Sequence, residues 1–96
     1  MIEHRSVNVG NAEFDFIRMQ LGNAPLLILK GKKGYVMCGY LDISTADRVG
    51  DIAVRVSGVN TLDDLLNSSV AIASSKATEL GIEKGMPVSE VLQFLN

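Results

Sequence analysis

Residues 25–42 read Pro-Leu-Leu-Ile-Leu-Lys-Gly-Lys-Lys-Gly-Tyr-Val-Met-Cys-Gly-Tyr-Leu-Asp and predict two strands joined by a tight turn. Short apolar runs bounded by glycine and proline favour strands over helices, and Leu26–Leu29 and Tyr35–Leu41 are two such runs. The first run has no polar face, whereas an antiparallel strand with one face in water should alternate. We therefore expect both of its faces to be covered, one by the chain's own helices and the other by a neighbouring subunit.

The turn between the two strands sets their register. A type I turn at Lys32 and Lys33, with Gly34 in the left-handed conformation of a bulge, would place Leu29 opposite Met37. A four-residue loop would shift this pairing by one residue. The lysines at the tip are expected to be solvated.

The composition is that of a globular protein, with 47% apolar and 21% charged residues among 96. A chain of this length buries roughly two-thirds of its unfolded surface, and no linker or repeat divides it. We expect one domain, 1–96. Residues 1–41 should be mainly β and form the oligomerisation region, and residues 42–96 should mix helices and strands.

Charge and cysteine content exclude several classes of protein. A net charge of −2 and a pI near 5.2 argue against nucleic-acid binding, which requires a basic face. No apolar run approaches the roughly 20 residues of a membrane span, and the first residues lack a signal-peptide pattern. One cysteine and one histidine exclude a disulfide framework and an ordinary transition-metal site. We expect a cytoplasmic protein with no cofactor, no metal, and no nucleic-acid or membrane partner.

The first forty residues predict an antiparallel meander. Strands are expected over Arg5–Val9 and Glu13–Leu21, and the turn at residues 22–25 leads into the hairpin. Ile17 interrupts the alternation of the second strand and suggests a bulge or a twist. His4 falls in an N-terminal tail that is expected to be mobile.

The C-terminal half mixes helices with short strands. Ser44 with Asp47 forms a capping-box pattern that predicts a helix over about 45–51, and Thr61 with Asp64 repeats the pattern. Two strands are predicted, over 52–56 and over 70–73. Asn67 should end the helix that follows Thr61 in the left-handed conformation, and a further helix should be capped by Ser74 and Ser75 and ended by Gly81. A last helix is predicted from the apolar stripe Val88, Val91, Leu92 and Leu95. This order of elements predicts an α+β fold.

Cys38 is the first candidate for chemistry. A nucleophilic cysteine needs a base or a positive field that lowers its pKa. The only histidine, His4, is distant along the chain. Cys38 is therefore either a small buried strand residue or a nucleophile whose base comes from a neighbouring subunit.

A polar cluster at the exit of the hairpin is the second candidate. A strand-to-helix junction presents backbone amides at a helix N-terminus and often carries a site. Asp42 could bind a ligand there or cap the helix. The candidate ligand-binding residues are Cys38, Asp42, Ser44, Thr45, Asp47 and Arg48. The alternative interpretation is that the five polar residues are cap and surface positions.

Three phrases of the sequence together carry a family resemblance. They are Gly34-Tyr-Val-Met-Cys-Gly39 followed by Leu41-Asp42, Gly58-Val59 with Thr61 and the leucine pair 65–66, and Ala77-x-x-Leu-Gly-Ile-x-x-Gly-Met86. Their order and spacing resemble the YunC-like family of uncharacterised bacterial and archaeal proteins, domain of unknown function 1805 (DUF1805). The resemblance runs from about Pro25 to the C-terminus. It implies a small α/β domain whose N-terminal β region serves in tetramer formation, and it brings no catalytic residues, since the family has no assigned activity.

The sequence shows no catalytic constellation, so it leaves open whether the protein is an enzyme. We predict a homo-oligomeric domain, a tetramer through its N-terminal strands, that binds a small molecule or acts in regulation. The alternatives are a small enzyme with Cys38 as its nucleophile and a structural or protein-interaction module.

Overall fold

The computed structural model describes residues 2–96, which form one mixed sheet and four short helices. The strands are β1 (Ile2–Val9), β2 (Ala12–Gln20), β3 (Pro25–Lys30), β4 (Gly34–Met37), β5 (Ile52–Arg55) and β6 (Ile72–Ala73). The helices are α1 (Ile43–Val49), α2 (Leu62–Leu66), α3 (Ser75–Glu79) and α4 (Val88–Leu95). The strands lie in the sheet in chain order, and neighbours are antiparallel except β4 and β5, which are parallel. The predicted α+β fold and N-terminal meander are confirmed.

The main core lies between one face of the sheet and the helices α2, α3 and α4. Alternate residues of β2 and β3 point into it and are buried: Phe14, Phe16, Leu27 and Leu29. The apolar stripe predicted for α4 packs against them and consists of Val88, Val91, Leu92 and Leu95. The one-sided character of this last helix, predicted from its spacing, is therefore confirmed.

The opposite face of the sheet is covered only in part. Because β4 and β5 are parallel, the chain must cross from the end of one strand to the start of the other, and α1 makes this crossing. Ile43 and Ala46 of α1 pack with Met37 and Ala53 in a second, smaller buried cluster. The helix thus covers the β4–β5 part of this face.

Strand β3 is apolar on both sides, as predicted, but its two faces differ in burial. Leu27 and Leu29 have no exposed surface, whereas Leu26 and Ile28 are half-buried. The chain's own helices therefore cover one face. Residues 2–96 do not supply a full cover for the other.

The register of the β3–β4 hairpin differs by one residue from the first prediction. Lys30 lies opposite Tyr35, the pairing of the four-residue loop. Since side chains alternate between faces, this shift puts Tyr35 on the face that bears Lys30 and Ile28. The predicted left-handed bulge is wrong, because Gly34 has no positive φ. This glycine is needed for close approach: a Cβ atom there would lie 2.3 Å from the carbonyl oxygen of Ile52 in β5.

Two helix ends also differ from the prediction. The N-cap of α1 is Asp42, whose side chain accepts a hydrogen bond from the backbone N–H of Ser44 at 3.1 Å. Ser44 is therefore not the cap, and Asp47 is not its capping-box partner. The carboxylate of Asp42 lies directly before the first helical residue, where the positive end of the helix dipole favours it. Asn67 ends α2 with φ −95°, so the predicted left-handed conformation is wrong.

The remaining helix signals agree with the structure. Thr61 and Asp64 form the predicted reciprocal capping box at α2. Ser74 caps α3, and Gly81 follows the end of that helix with φ 99°.

The first strand is longer than predicted. β1 begins at Ile2, and His4 lies within it opposite Ile17, so the expected mobile tail is wrong. Ile17 also pairs with Ile28 on its other side, and both ladders are continuous there, which leaves no bulge. The irregular pattern of β2 has another cause. Ile17 and Met19 make its outer face apolar, although neither belongs to a buried cluster.

Candidate functional site

The predicted polar cluster is centred on Asp42, and its carboxylate is fully engaged by α1. Ser44 Oγ donates to Asp42 Oδ2 at 2.6 Å, Thr45 Oγ1 donates to the same oxygen at 3.3 Å, and the backbone N–H of Ser44 donates to Oδ1 at 3.1 Å. The hydrogen bond from the Ser44 hydroxyl is the main reason that the pKa of Asp42 is lowered, and the positive charge of Arg48 adds to it. The capping interpretation of Asp42 is therefore supported.

Asp47 contacts a different helix. Its carboxylate accepts a hydrogen bond from the backbone N–H of Ser75, the first residue of α3. Asp47 thus links α1 to the start of α3 and does not join the hydrogen bonds around Asp42.

Cys38 is buried in the main core, on the other side of the sheet from α1. Its side chain is 3% exposed, and the backbone N–H of Leu27 lies 3.4 Å from its sulfur. Cys38 borders a cavity of about 290 Å³ formed with residues 24–25, 39–40 and 58–60. In the described chain this lining contains no histidine, lysine, arginine or carboxylate. The structure therefore does not bring Cys38 and Asp42 to a common site, and nothing lining this cavity could act as a base.

A larger groove lies between α1 and the sheet. It has a volume of about 640 Å³. Its apolar lining comes from both walls: Ile28 and Met37 on the strands, Leu41 in the connecting segment, and Ala46 and Val49 on α1. Its polar lining consists of Lys30, Tyr35, Asp42, Thr45 and Asp51. Two of the predicted site residues, Asp42 and Thr45, thus border this groove, while Ser44, Asp47 and Arg48 are exposed positions of α1.

The polar pair in the groove is Tyr35 and Asp51. The phenol of Tyr35 donates a hydrogen bond to Asp51 Oδ2 at 2.6 Å. Partial burial, the hydrogen bond and the negative charge of Asp51 together raise the pKa of Tyr35 from 10.0 to about 12. Tyr35 therefore stays a neutral donor at physiological pH. Within residues 2–96, the hydrogen bond from Tyr35 is the one that the Asp51 carboxylate accepts, so its other oxygen has no donor there.

Sequence reasoning did not identify Tyr35, Asp51 or Lys30 as site residues. Tyr35 and Lys30 are cross-strand partners on the groove side only in the observed hairpin register. Asp51 lies 16 residues from Tyr35, in the segment after α1. The sequence signal that could have identified them was the alternative four-residue loop, because it places Tyr35 and Lys30 on the same face of the sheet.

Comparison with other proteins gives consistent matches over the chain. Residues 37–95 match the family described as Domain of unknown function (DUF1805). The chain is 28% identical over 96 residues to the uncharacterized protein YunC of Bacillus subtilis (strain 168), a match that covers 96% of this chain and 95% of that protein. The fold is similar to a crystal structure of a protein of unknown function from Thermoplasma acidophilum, with a TM-score of 0.97 and 48% identity, covering 100% of this chain and 94% of that one. The family resemblance carried by the three sequence phrases is confirmed.

Within residues 2–96, no three side chains of His, Cys, Asp or Glu lie close enough together to hold a metal ion. No helix in this range is both long and apolar enough to cross a membrane.

Proposed function

The chain belongs to the DUF1805 family, and we propose that it is a cytoplasmic, homo-oligomeric domain that binds a small molecule. The groove between α1 and the sheet is the binding site in this proposal. The observation that carries it is the combination of an apolar lining on both walls with the Tyr35–Asp51 pair between them.

The groove has the properties of a ligand site. Small-molecule pockets have volumes of roughly 300–1,000 Å³ and are mostly apolar, with a few polar groups that orient the ligand. The volume of about 640 Å³ lies in this range. The walls are also held in place independently of any ligand, since Ile43 and Ala46 anchor α1 on Met37 and Ala53. A preformed site of this kind loses little conformational freedom on binding.

Homo-oligomerisation is the second part of the proposal, and the outer face of β1–β3 supports it. The strand register brings Ile2 opposite Met19, Met19 opposite Leu26, and Ile17 opposite Ile28. Four of these side chains are half-buried and Ile2 is 66% exposed, so they form one apolar patch on the sheet. Contiguous exposed apolar patches mark protein contact sites. We call this set of five residues the outer patch, and a second copy of the chain is its proposed occupant.

The test of ligand binding is a thermal-shift screen with a broad metabolite library. The control is a pair of variants that add the same indole ring inside and outside the groove. Thr45 is an exposed groove residue on α1, and Thr78 is an exposed residue on α3 that does not border it. A hit should stabilise the wild type and the Thr78→Trp variant but not the Thr45→Trp variant. A screen that yields no stabilising compound, or hits that stabilise both variants equally, would contradict binding in the groove.

A further inference from the structure

The charged residues that line the groove favour a positively charged ligand. Its charged lining is one lysine, Lys30, against two aspartates, Asp42 and Asp51. Arg48 interacts with the Asp42 carboxylate from α1 but does not border the groove. At neutral pH the lining therefore carries an excess of one negative charge.

These three charged groups are not equally available to a ligand. The Asp42 carboxylate already accepts hydrogen bonds from Ser44 and Thr45. The ammonium of Lys30 donates to the carbonyl oxygen of Gly31 at 3.2 Å, at the exposed end of β3. Asp51 differs from both, because only one of its two carboxylate oxygens has a hydrogen-bond donor, Tyr35. The free oxygen of Asp51 is therefore the strongest unused polar group in the groove.

The Tyr35–Asp51 pair presents two acceptors side by side. The phenol oxygen uses its proton to bind Asp51 Oδ2, 2.6 Å away, so towards a ligand it can act only as an acceptor. An ammonium group carries three donors and no acceptor, so one such group can donate to both residues. A hydrogen bond between two charged partners is about twice as strong as a neutral one. A carboxylate or phosphate in the same position would instead be repelled by the negative charge of Asp51.

The apolar walls define the rest of the ligand. The ring of Tyr35 and the side chains of Ile28 and Met37 lie on the sheet side, and Ala46 and Val49 lie on the helix side. Aromatic rings pack well against methionine sulfur and against other rings. Tyr40, which is half exposed at the border of the groove, adds a second ring. A cation near these rings gains a further attraction from their negative faces.

We infer that the groove binds small arylalkylamines, with the alkylammonium group between Asp51 and Tyr35 and the aromatic ring between α1 and the sheet. This inference rests on the proposed ligand-binding function and names the chemical class of ligand.

Three probes with the same ring separate charge from shape. Tryptamine carries an ammonium, indole is neutral, and indole-3-acetate carries a carboxylate. Isothermal titration calorimetry of the protein should show tryptamine binding at least tenfold more tightly than indole, the gain of about one charge-assisted hydrogen bond. Indole-3-acetate should bind more weakly than indole.

Two variants test whether the Tyr35–Asp51 pair causes the preference for tryptamine over indole. Asp51→Asn should reduce tryptamine affinity about tenfold and leave indole affinity unchanged. Asp63→Asn, at an exposed aspartate of α2 outside the groove, is the charge-matched control and should leave both affinities unchanged. Tyr35→Phe serves as a second variant if Asp51→Asn does not fold, and it should weaken tryptamine binding more than indole binding.

The outcomes separate this inference from the proposed function. Equal affinity for the three probes, or a preference for tryptamine that survives both Asp51→Asn and Tyr35→Phe, overturns the amine assignment. If no probe binds while the metabolite screen yields a groove ligand of another class, the amine assignment is wrong and the binding function stands. If neither the probes nor the screen yields a ligand, both are wrong.

Discussion

Gly31 lies so close to the backbone of Leu95 that a Cβ atom at this glycine would be 2.2 Å from the Leu95 carbonyl oxygen. The same oxygen accepts a hydrogen bond from the backbone N–H of Lys33 at 2.8 Å. The last residues of α4 are therefore docked on the hairpin turn. This contact explains why the turn contains glycine although Gly31 has no positive φ.

Replacing Gly31 by alanine should destabilise the protein by about 1–3 kcal/mol, because an added methyl group must push the turn away from rigid backbone. Urea unfolding measures the change. Gly22→Ala is the matched control, since a Cβ atom there has nothing within 4 Å and the residue has no positive φ. It should leave stability unchanged or raise it slightly through the unfolded state. Equal losses in the two variants would count against the close contact.

Ser74 is the only buried polar or charged residue among those described. Its hydroxyl donates to the carbonyl oxygen of Asp51 at 2.8 Å and accepts from the backbone N–H groups of Ala53 and Ala77 at 3.0 and 3.3 Å. Ser74→Ala leaves buried backbone groups without a partner and should cost about 1–3 kcal/mol. Ser75→Ala, at the exposed neighbour, should change stability by less than about 0.5 kcal/mol. Thermal unfolding of the two variants gives the comparison, and a Ser74→Ala protein as stable as Ser75→Ala would refute this role.

The Asp42 cap should contribute to the pH dependence of stability. Its pKa is lowered in the folded state, chiefly by the hydrogen bond from the Ser44 hydroxyl, so the folded protein favours the ionised form. This contribution is present above the unfolded pKa of the carboxyl and is lost as the pH falls through the lower folded pKa. Asp42→Asn retains a good capping side chain but removes the charge. We expect wild type and Asp42→Asn to differ in stability near neutrality and to converge in acid.

Ser44→Ala provides the check on the cause of that shift. It removes the hydroxyl donor and keeps the backbone N–H that binds Asp42. The pH-dependent part of the Asp42 contribution should become smaller in this variant. Unchanged curves for stability against pH would mean that the hydroxyl does not hold the carboxylate.

Tyr35 should titrate well above an ordinary tyrosine. The chain has two tyrosines, so the variant Tyr40→Phe leaves Tyr35 as the only phenol. Ultraviolet absorbance of the tyrosinate should then give a midpoint near 12, and Asp51→Asn should lower it by removing the negative charge and leaving only a neutral amide oxygen as the acceptor. Because the folded pKa is the higher one, the associated stability is present below pH 10.0 and is lost as the pH rises towards about 12. A midpoint near 10.0 in the folded protein would contradict the Tyr35–Asp51 hydrogen bond.

The outer patch should hold copies of the chain together. Ile17 lies at its centre, paired with His4 on one side and Ile28 on the other. Ile17→Lys places a charge in a contact that would exclude water, and it should reduce the mass measured by size-exclusion chromatography with light scattering. Asn8→Lys adds the same charge on the same face, beyond the patch, and should leave the mass unchanged. A wild-type protein that is monomeric at tens of micromolar would rule out the proposed assembly.

Local signals in the sequence were sufficient for the elements that depend on near neighbours. The apolar stripe of α4 and the capping box of Thr61 and Asp64 follow from spacings of three and four residues. The two-sided apolar character of β3 was likewise visible as a continuous run, and burial divides it into Leu27 and Leu29 on one side and Leu26 and Ile28 on the other. The sequence left two roles open for Asp42, capping the helix or binding a ligand, and the structure shows it as the N-cap.

Features that join distant parts of the chain were not accessible in the same way. The hairpin register depends on the approach of Ile52 to Gly34, a contact between segments that no local turn rule includes. A change of one residue in that register moves Tyr35 to the other face of the sheet. The pairing of Tyr35 with Asp51 follows from this register and from the crossing of α1.

The sequence by itself determined the α+β class, the order of the strands along the chain and most helix ends, because each of these depends on residues a few positions apart. The tertiary structure decided which polar residues meet. It separated Cys38 from Asp42 by placing them on opposite sides of the sheet, and it brought Tyr35 to Asp51 across 16 residues. The physical reason is that side chains alternate between the two faces of a strand. A shift of one residue in the β3–β4 register, which packing against α4 and β5 opposes, would therefore exchange the side chains on the two faces of β4.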